Sequence, residues 1–187
     1  MEFWDIYEGH YNGIRKFVRS MVQDSWAVED VVQETFARVQ ERLDRLNDPE
    51  RVTAWVYRIA YNLCQDHFRA RKRHAELALK SAEGSGGQIL PSFQKQLEQE
   101  QMGQCVQEKI RKLPETQQAV LVLFDIMNFS QGEVAEILEI SVANVKVRIH
   151  RARKKLRAIL EEECRFERDE RDVFVCEPVG SQIAGKK

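Results

Sequence analysis

"FSQGEVAEILEISVANVKVRIHRARKKLR", residues Phe129 to Arg157, holds the signals of two helices in succession. Ser130 followed by Glu133 is a capping-box pattern, in which each side chain satisfies a backbone amide of the other. Val134, Ala135, Ile137 and Leu138 supply an apolar face, and small Ala135 lets a crossing helix approach closely. Ser141 can cap the next helix. There, at ~100° per residue, Val142, Val145, Ile149, Ala152 and Leu156 share one face that must pack on something. Opposite lie Asn144, Val147, Arg151 and Lys154, flanked by Ala143 and His150. Lys146, Arg153 and Arg157 line one shoulder, Arg148 and Lys155 the other. Two short helices joined by a tight turn, the second strongly basic, match the DNA-binding helix-turn-helix. Its second helix would lie in the major groove, with its N-terminal half toward base edges and its charges toward phosphates. A solvated helix or a coiled-coil seam also carries charge, but the apolar repeat is too short for a coiled coil and lacks acidic partners at flanking positions.

The charge is local. Positions 146–157 hold seven Lys or Arg and no acid, whereas the 187-residue chain has 29 basic and 30 acidic residues. The length suits one large domain or two small ones. No stretch approaches the ~20 apolar residues that cross a bilayer, and the start, "MEFWDIYEGH", lacks a basic segment leading into an apolar run. Membrane insertion is therefore not expected. Cys64, Cys105, Cys164 and Cys176 form no CxxC pair, which suits reduced thiols in a cytoplasmic protein. No metal site and no cofactor are expected. No phosphate-binding glycine loop, HExxH or nucleophile motif appears, so an enzyme is not the reading. His10, His67, His74 and His150 are scattered and read as surface groups.

The periodicity implies an all-α chain of two small helical domains joined by a flexible linker, the second with the helix-turn-helix. Residues 1–74 form the first domain, 75–95 the linker, 96–163 the second domain and 164–187 a tail. The linker contains "SAEGSGGQILPS", rich in Ser, Gly and Pro. Within the first domain the spacing predicts helices over about Tyr7–Val22, from a cap at Asp24 or Ser25 to about Leu43, and over about Val52–Arg73. "VFVCEPVG" in the tail is the one short β-like piece. "EEECRFERDERD", residues 161–172, is net −4 and could screen the basic helix.

The last helix of the first domain adds a second nucleic-acid signal. "AWVYRIAYNLCQDHFRARKR", Ala54 to Arg73, interleaves Trp55, Tyr57, Tyr61 and Phe68 with Arg58, Arg69, Arg71, Lys72 and Arg73. Aromatic rings stack on bases while cations pair with phosphates, which suits single-stranded nucleic acid. Trp55, at helical spacing from Ile59, reads as core; Tyr57, Tyr61 and Asn62 are the better contact candidates.

In order, "DVVQETFARV", the aromatic-basic helix, a linker, "LPETQQAVLVL" and the helix-turn-helix closely resemble the extracytoplasmic-function (ECF) sigma factors of bacteria. The resemblance spans about Tyr7–Arg73 and Leu113–Leu160. It implies binding to core RNA polymerase, through the β′ clamp helices and the β subunit, and to promoter DNA, with an anti-sigma factor as a further partner. It implies that Asp30, Gln33, Glu34 and Phe36 dock on the clamp helices. Asp30 and Glu34, four residues apart, share a helix face. It implies that Tyr57, Arg58, Tyr61, Asn62 and Arg69, with the loop Leu46 to Thr53, melt and hold the −10 element. Asn144, Lys146, Val147, His150 and Arg151 would read the −35 element. The chain departs from the family pattern at Ala143-Asn144, where Gly-Thr is frequent, at Val147 in place of Ser, and at Glu139, where the turn often has Gly. The competing reading is a stand-alone helix-turn-helix regulator that dimerises on palindromic sites; such a protein would carry a receiver or ligand pocket in place of the first block.

Overall fold

The first helix, α1 (Phe3–Met21), starts where the Glu2 amide finds the Asp5 carboxylate, 2.9 Å away. It therefore begins four residues before the apolar periodicity does. Asp24 caps α2 (Ser25–Glu41), its carboxylate accepting from the Trp26 amide at 3.0 Å. Two single 3₁₀ turns, Leu43–Arg45 and Pro49–Arg51, lead into α3 (Val52–Lys80). The computed structural model describes residues 2–22, 24–46, 48–80, 98–168 and 174–178. Residues 75–80 were expected in the linker but continue α3, because "AELALK" contains only good helix formers. The remainder of the expected linker lies outside the described residues.

The second body comprises α4 (Glu98–Arg111), α5 (Glu115–Leu121) continuing into a π-helical turn (Val122–Ile126), α6 (Gln131–Leu138) and α7 (Val142–Glu163). An antiparallel ribbon follows, β1 (Cys164–Arg168) against β2 (Phe174–Pro178), with Phe166 opposite Cys176. The architecture is all-α with this ribbon appended. Strand β2 coincides with the apolar tail segment; its partner "CRFER" alternates apolar and charged residues only over Cys164–Glu167, too short a run to announce a strand.

Packing follows the apolar faces. In the first body Ile14, Phe17 and Val18 of α1 meet Val32, Phe36 and Val39 of α2 and Val56, Ile59 and Ala60 of α3. Each buried Val, Ile or Phe among them contributes about 1.5–3 kcal/mol. In the second, Val120 and Leu123 pack with Val134 and Ile137 of α6 and Val145, Ile149 and Ala152 of α7. Val142 was placed on the same dry face but is 42% exposed. It is the first residue of α7, with no preceding helical turn to cover it. His10 is not the surface group expected of it. Its ring bridges the Ile6 carbonyl (2.9 Å) and the Thr53 hydroxyl (3.1 Å), tying α1 to the start of α3.

The two bodies touch. The last carbonyls of a helix lack partners within it, and the second body supplies them for α1. The buried Gln118 amide donates to the Ser20 carbonyl at 2.8 Å, Gln107 to the same oxygen at 3.1 Å, and Arg111 to the Arg19 carbonyl at 3.1 Å. On the other side α3 lies against α6, where Arg58 reaches Glu139 Oε1 (3.0 Å) and the Glu136 carbonyl (2.8 Å).

Glu139 ends α6 in the left-handed region, φ 54°. That conformation usually takes glycine at a helix end and costs an L-residue about 1–2 kcal/mol. A partly exposed ion pair such as Arg58–Glu139 contributes about 0–1 kcal/mol in return. Glu139→Gly is thus expected to leave the thermal midpoint of the full chain unchanged or to raise it by up to about 8 °C, since 1 kcal/mol shifts a protein of this size by ~2–4 °C. Melting followed by circular dichroism checks this, and a clear fall would show the ion pair to outweigh the backbone strain.

Candidate protein-docking and nucleic-acid surfaces

On α2 the buried side is occupied by Val28, Val31, Val32, Thr35, Phe36 and Val39. Phe36, expected at a docking surface, is 4% exposed and stacks edge-on to Tyr7 with ring centres 4.8 Å apart. It shapes the helix from inside. The outer side presents Trp26, Asp30 and Gln33 in one stripe, with Glu34 on its shoulder. Glu34 pairs with Arg38 at 2.8 Å, and Glu29 with Arg15 at 2.8 Å. Trp26 is 82% exposed, a large apolar surface left uncovered beside acids. It was missed in the sequence because it sits in the first turn, where it passes for a helix-start residue. Its position four residues before Asp30 is the signal that could have found it.

The α3 residues separate into two groups. Tyr57 is 4% exposed. Its hydroxyl lies over Gly13, where any β-carbon would collide with it, and its ring packs edge-on to Phe17 (5.7 Å) and Phe129 (4.8 Å). Burial pushes its hydroxyl up to about 12. Tyr57 is therefore covered rather than presented in this arrangement. Trp55, expected in the core, is half-buried against its edge. Tyr61 is also half-buried, its hydroxyl raised above the ordinary range first by burial, and Asn62 is exposed. Arg69 is exposed and sits 3.5 Å from Asp66. Burial pushes the Cys64 thiol on the opposite face up to about 12, leaving it a packing group. In the loop preceding α3, Asp48 caps the second 3₁₀ turn through the Glu50 amide at 3.0 Å, and Arg51 approaches Glu136 of α6 at 3.6 Å.

The helix-turn-helix is held by its own caps. Ser130 Oγ accepts from the Glu133 amide at 3.2 Å, while Glu133 Oε2 accepts from the Ser130 amide at 2.7 Å. Hydrogen bonding to Ser130, to its side chain first and then to its backbone amide, holds the Glu133 carboxyl below the ordinary carboxylate range. Ser141 Oγ accepts from the Asn144 amide at 3.2 Å. On α7 several cations serve the scaffold. Arg153 binds both Asp125 oxygens and lies over the Phe124 ring, Arg157 pairs with Glu161 at 2.7 Å, and Arg148 donates to Asn144 Oδ1 at 3.2 Å. Lys146, Arg151, Lys154 and Lys155 are exposed and have no ion-pair partner among the described residues. Exposed Val147 and His150 lie in the same region. At the end of α7, Glu163 of the acidic stretch turns to α4, where Lys109 donates to it at 2.6 Å and Lys112 adds a second ammonium. The side chains of 165–172 lie outside the described residues.

Two separate surfaces thus lie on one chain, an acidic stripe with a bare tryptophan and a cationic recognition helix, and a third, aromatic surface sits near the domain contact. Comparison with known proteins joins them. Residues 6–74 match the family described as Sigma-70 region 2, and residues 103–156 match Sigma-70, region 4. The chain is 30% identical over 176 residues to the RNA polymerase sigma factor SigZ of Bacillus subtilis, covering 90% of this chain and 93% of that one. It is 32% identical over 165 residues to the ECF RNA polymerase sigma factor SigW of the same organism, covering 83% and 87%.

The chain belongs to the ECF sigma factors. Its two helical bodies carry the two matched regions, region 2 first and region 4 second, and the stand-alone regulator is not favoured, since region 2 occupies the place where a receiver or ligand pocket would sit. Among solved structures, CnrH in complex with the cytosolic domain of CnrY is 32% identical, covers 86% of this sigma factor and 88% of that chain, and superposes with a TM-score of 0.63. No helix among the described residues of the sigma factor is long and apolar enough to cross a membrane.

Proposed function

We propose that this ECF sigma factor docks on core RNA polymerase through the α2 stripe, holds the melted −10 strand on α3 and reads the −35 element with α7. The observation that carries the reading is the cationic face of α7: Lys146, Arg151, Lys154 and Lys155 have no ion-pair partner among the described residues, on a helix whose opposite face is packed. Unpaired cations on a rigid helix are what phosphate and base-edge contacts need. At the −35 element Asn144, Lys146, Val147, His150 and Arg151 face the bases, and Val147 suits contact with a thymine methyl group.

On α2, Trp26 joins Asp30, Gln33 and Glu34. An exposed tryptophan beside charges is the composition of an interface anchor, and the acids complement cationic partners on the clamp helices. On α3, Tyr61, Asn62, Arg58 and Arg69 face the strand, with Tyr61 stacking and the guanidiniums pairing with phosphate. Phe36 and Tyr57 support these surfaces from within. An anti-sigma factor is proposed as the partner that restrains the protein, as the cytosolic domain of CnrY accompanies CnrH in the solved complex.

Tyr61→Ala with Asn62→Ala is expected to reduce open-complex formation several-fold while leaving closed-duplex binding nearly unchanged, since stacking is worth ~1–3 kcal/mol per base. Permanganate reactivity of promoter thymines measures the melted state. Equal reactivity in parent and variant would remove these residues from the melting surface.

A further inference from the structure

We infer that the cleft where α3 meets α4 and α5 binds a nucleoside diphosphate, its phosphates on Arg71, Lys72 and Arg111 and its base against the apolar wall around Phe68. The cleft encloses about 720 Å³, within the ~300–1,000 Å³ of ordinary small-molecule sites. No residue of the α2 stripe or of the α7 recognition face lines it, nor do Arg58, Tyr61, Asn62 or Arg69. It is thus separate from the surfaces assigned to polymerase and promoter.

Charge is the first support. Arg71, Lys72 and Arg111 line the cleft against one acid, Glu115. Arg71 and Lys72 are exposed and have no ion-pair partner among the described residues. Cations on separate helices that face one space repel each other until an anion stands between them. The second support is Arg111 itself, half-buried at the end of α4. Its Nη2 donates to the Arg19 carbonyl at 3.1 Å, its Nε is buried with no partner, and no carboxylate among the described residues pairs with it. Burial holds the guanidinium below the ordinary arginine range; Glu108, one turn back, opposes that shift and the Arg19 charge adds to it. A desolvated cation is costly unless it is paired, and a phosphate in the cleft would supply the pair. The third support is the rest of the wall, where Phe68, Leu113 and Pro114 are apolar. Phe68 is half-buried, with His67 edge-on at 6.0 Å. Inorganic phosphate would leave that wall in water. A nucleoside offers it a flat ring, while the guanidiniums fork onto phosphate oxygens. A nucleic-acid strand needs cations that track its backbone along a groove; these converge on one place.

The test is isothermal titration calorimetry on the full chain at about 0.15 M salt. The probes are ADP, GDP, CDP and UDP, beside adenosine and inorganic pyrophosphate. At least one diphosphate is expected to bind about tenfold or more tightly than adenosine and than pyrophosphate. At a hundred times its Kd it should raise the thermal midpoint by roughly 5–10 °C. Arg71→Ala/Lys72→Ala changes two exposed positions on a helix that alanine suits, so the fold survives. It is expected to weaken diphosphate binding about tenfold or more. Arg111→Lys keeps the charge but loses the fork, and is expected to weaken it several-fold. Lys16→Ala/Arg42→Ala removes two exposed cations that do not line the cleft, and is expected to bind as the parent does. No binding of any diphosphate, or equal binding by the two double variants, overturns the site. Pyrophosphate bound as tightly as the diphosphates overturns the nucleoside assignment. If Arg71→Ala/Lys72→Ala loses affinity only for a labelled oligo-thymidine strand, the two cations belong to the strand-binding surface and the cleft site falls.

Discussion

Asp30→Lys combined with Glu34→Lys is expected to weaken binding to core RNA polymerase by about 100-fold, because like-charge juxtaposition across an interface costs several kcal/mol. Both side chains are exposed on α2 and neither touches the core, so the fold should survive. Reversing Glu34 also breaks its pair with Arg38, but a surface i,i+4 pair is worth only ~0.3–0.5 kcal/mol. Trp26→Ala should add a loss of about tenfold or more, the scale of an interface anchor. Titration of labelled core enzyme with parent and variants, at matched helicity, measures the effect. Affinity equal to the parent's would take the α2 stripe out of the polymerase contact.

Arg151→Ala is expected to cost ~1–3 kcal/mol of promoter affinity and to relax preference at one −35 position, the cost of losing a bidentate base contact. The prediction singles out Arg151 because Arg153 and Arg157, two and six residues on, are held by Asp125 and Glu161. Arg151 has no such partner among the described residues. Binding to a panel of single-base −35 variants distinguishes the outcomes. Uniform weakening across the panel, with the salt slope reduced by about one, would make Arg151 a phosphate contact instead.

The helix-turn-helix was legible because its signals are local and agree with one another. The Ser130/Glu133 box, the Ser141 cap and the 3–4 apolar spacing of α7 are all read within about thirty residues; both caps form, and Val145, Ile149 and Ala152 of the apolar face are buried, while Val142 is not. The positions of Phe36 and Tyr57 were less legible. Both belong to the motifs that carry the resemblance, yet a motif does not tell a residue that touches a partner from one that shapes the touching surface. Burial of Tyr57 depends on Gly13 in α1 and Phe129 before α6, which no helical period of α3 reveals. The domain contact was out of reach for the same reason: Arg58 and Glu139 are 81 residues apart. Glu139 did stand out as a departure from the family's turn, but its meaning emerged only with the left-handed backbone and the guanidinium beside it. Strand β1 escaped because the alternation of "CRFER" runs over only four positions inside a charged stretch, and β2 is what pairs with it.

Transcription by a reconstituted holoenzyme tests the central claim most directly. Purified core RNA polymerase is combined with the full chain on fragmented genomic DNA, and transcript start sites are mapped. Sigma-factor function predicts discrete starts absent from core alone, each preceded by a shared −10 and −35 pair at fixed spacing. A chain that binds palindromic DNA as a dimer, without affinity for core and without new start sites, would contradict it.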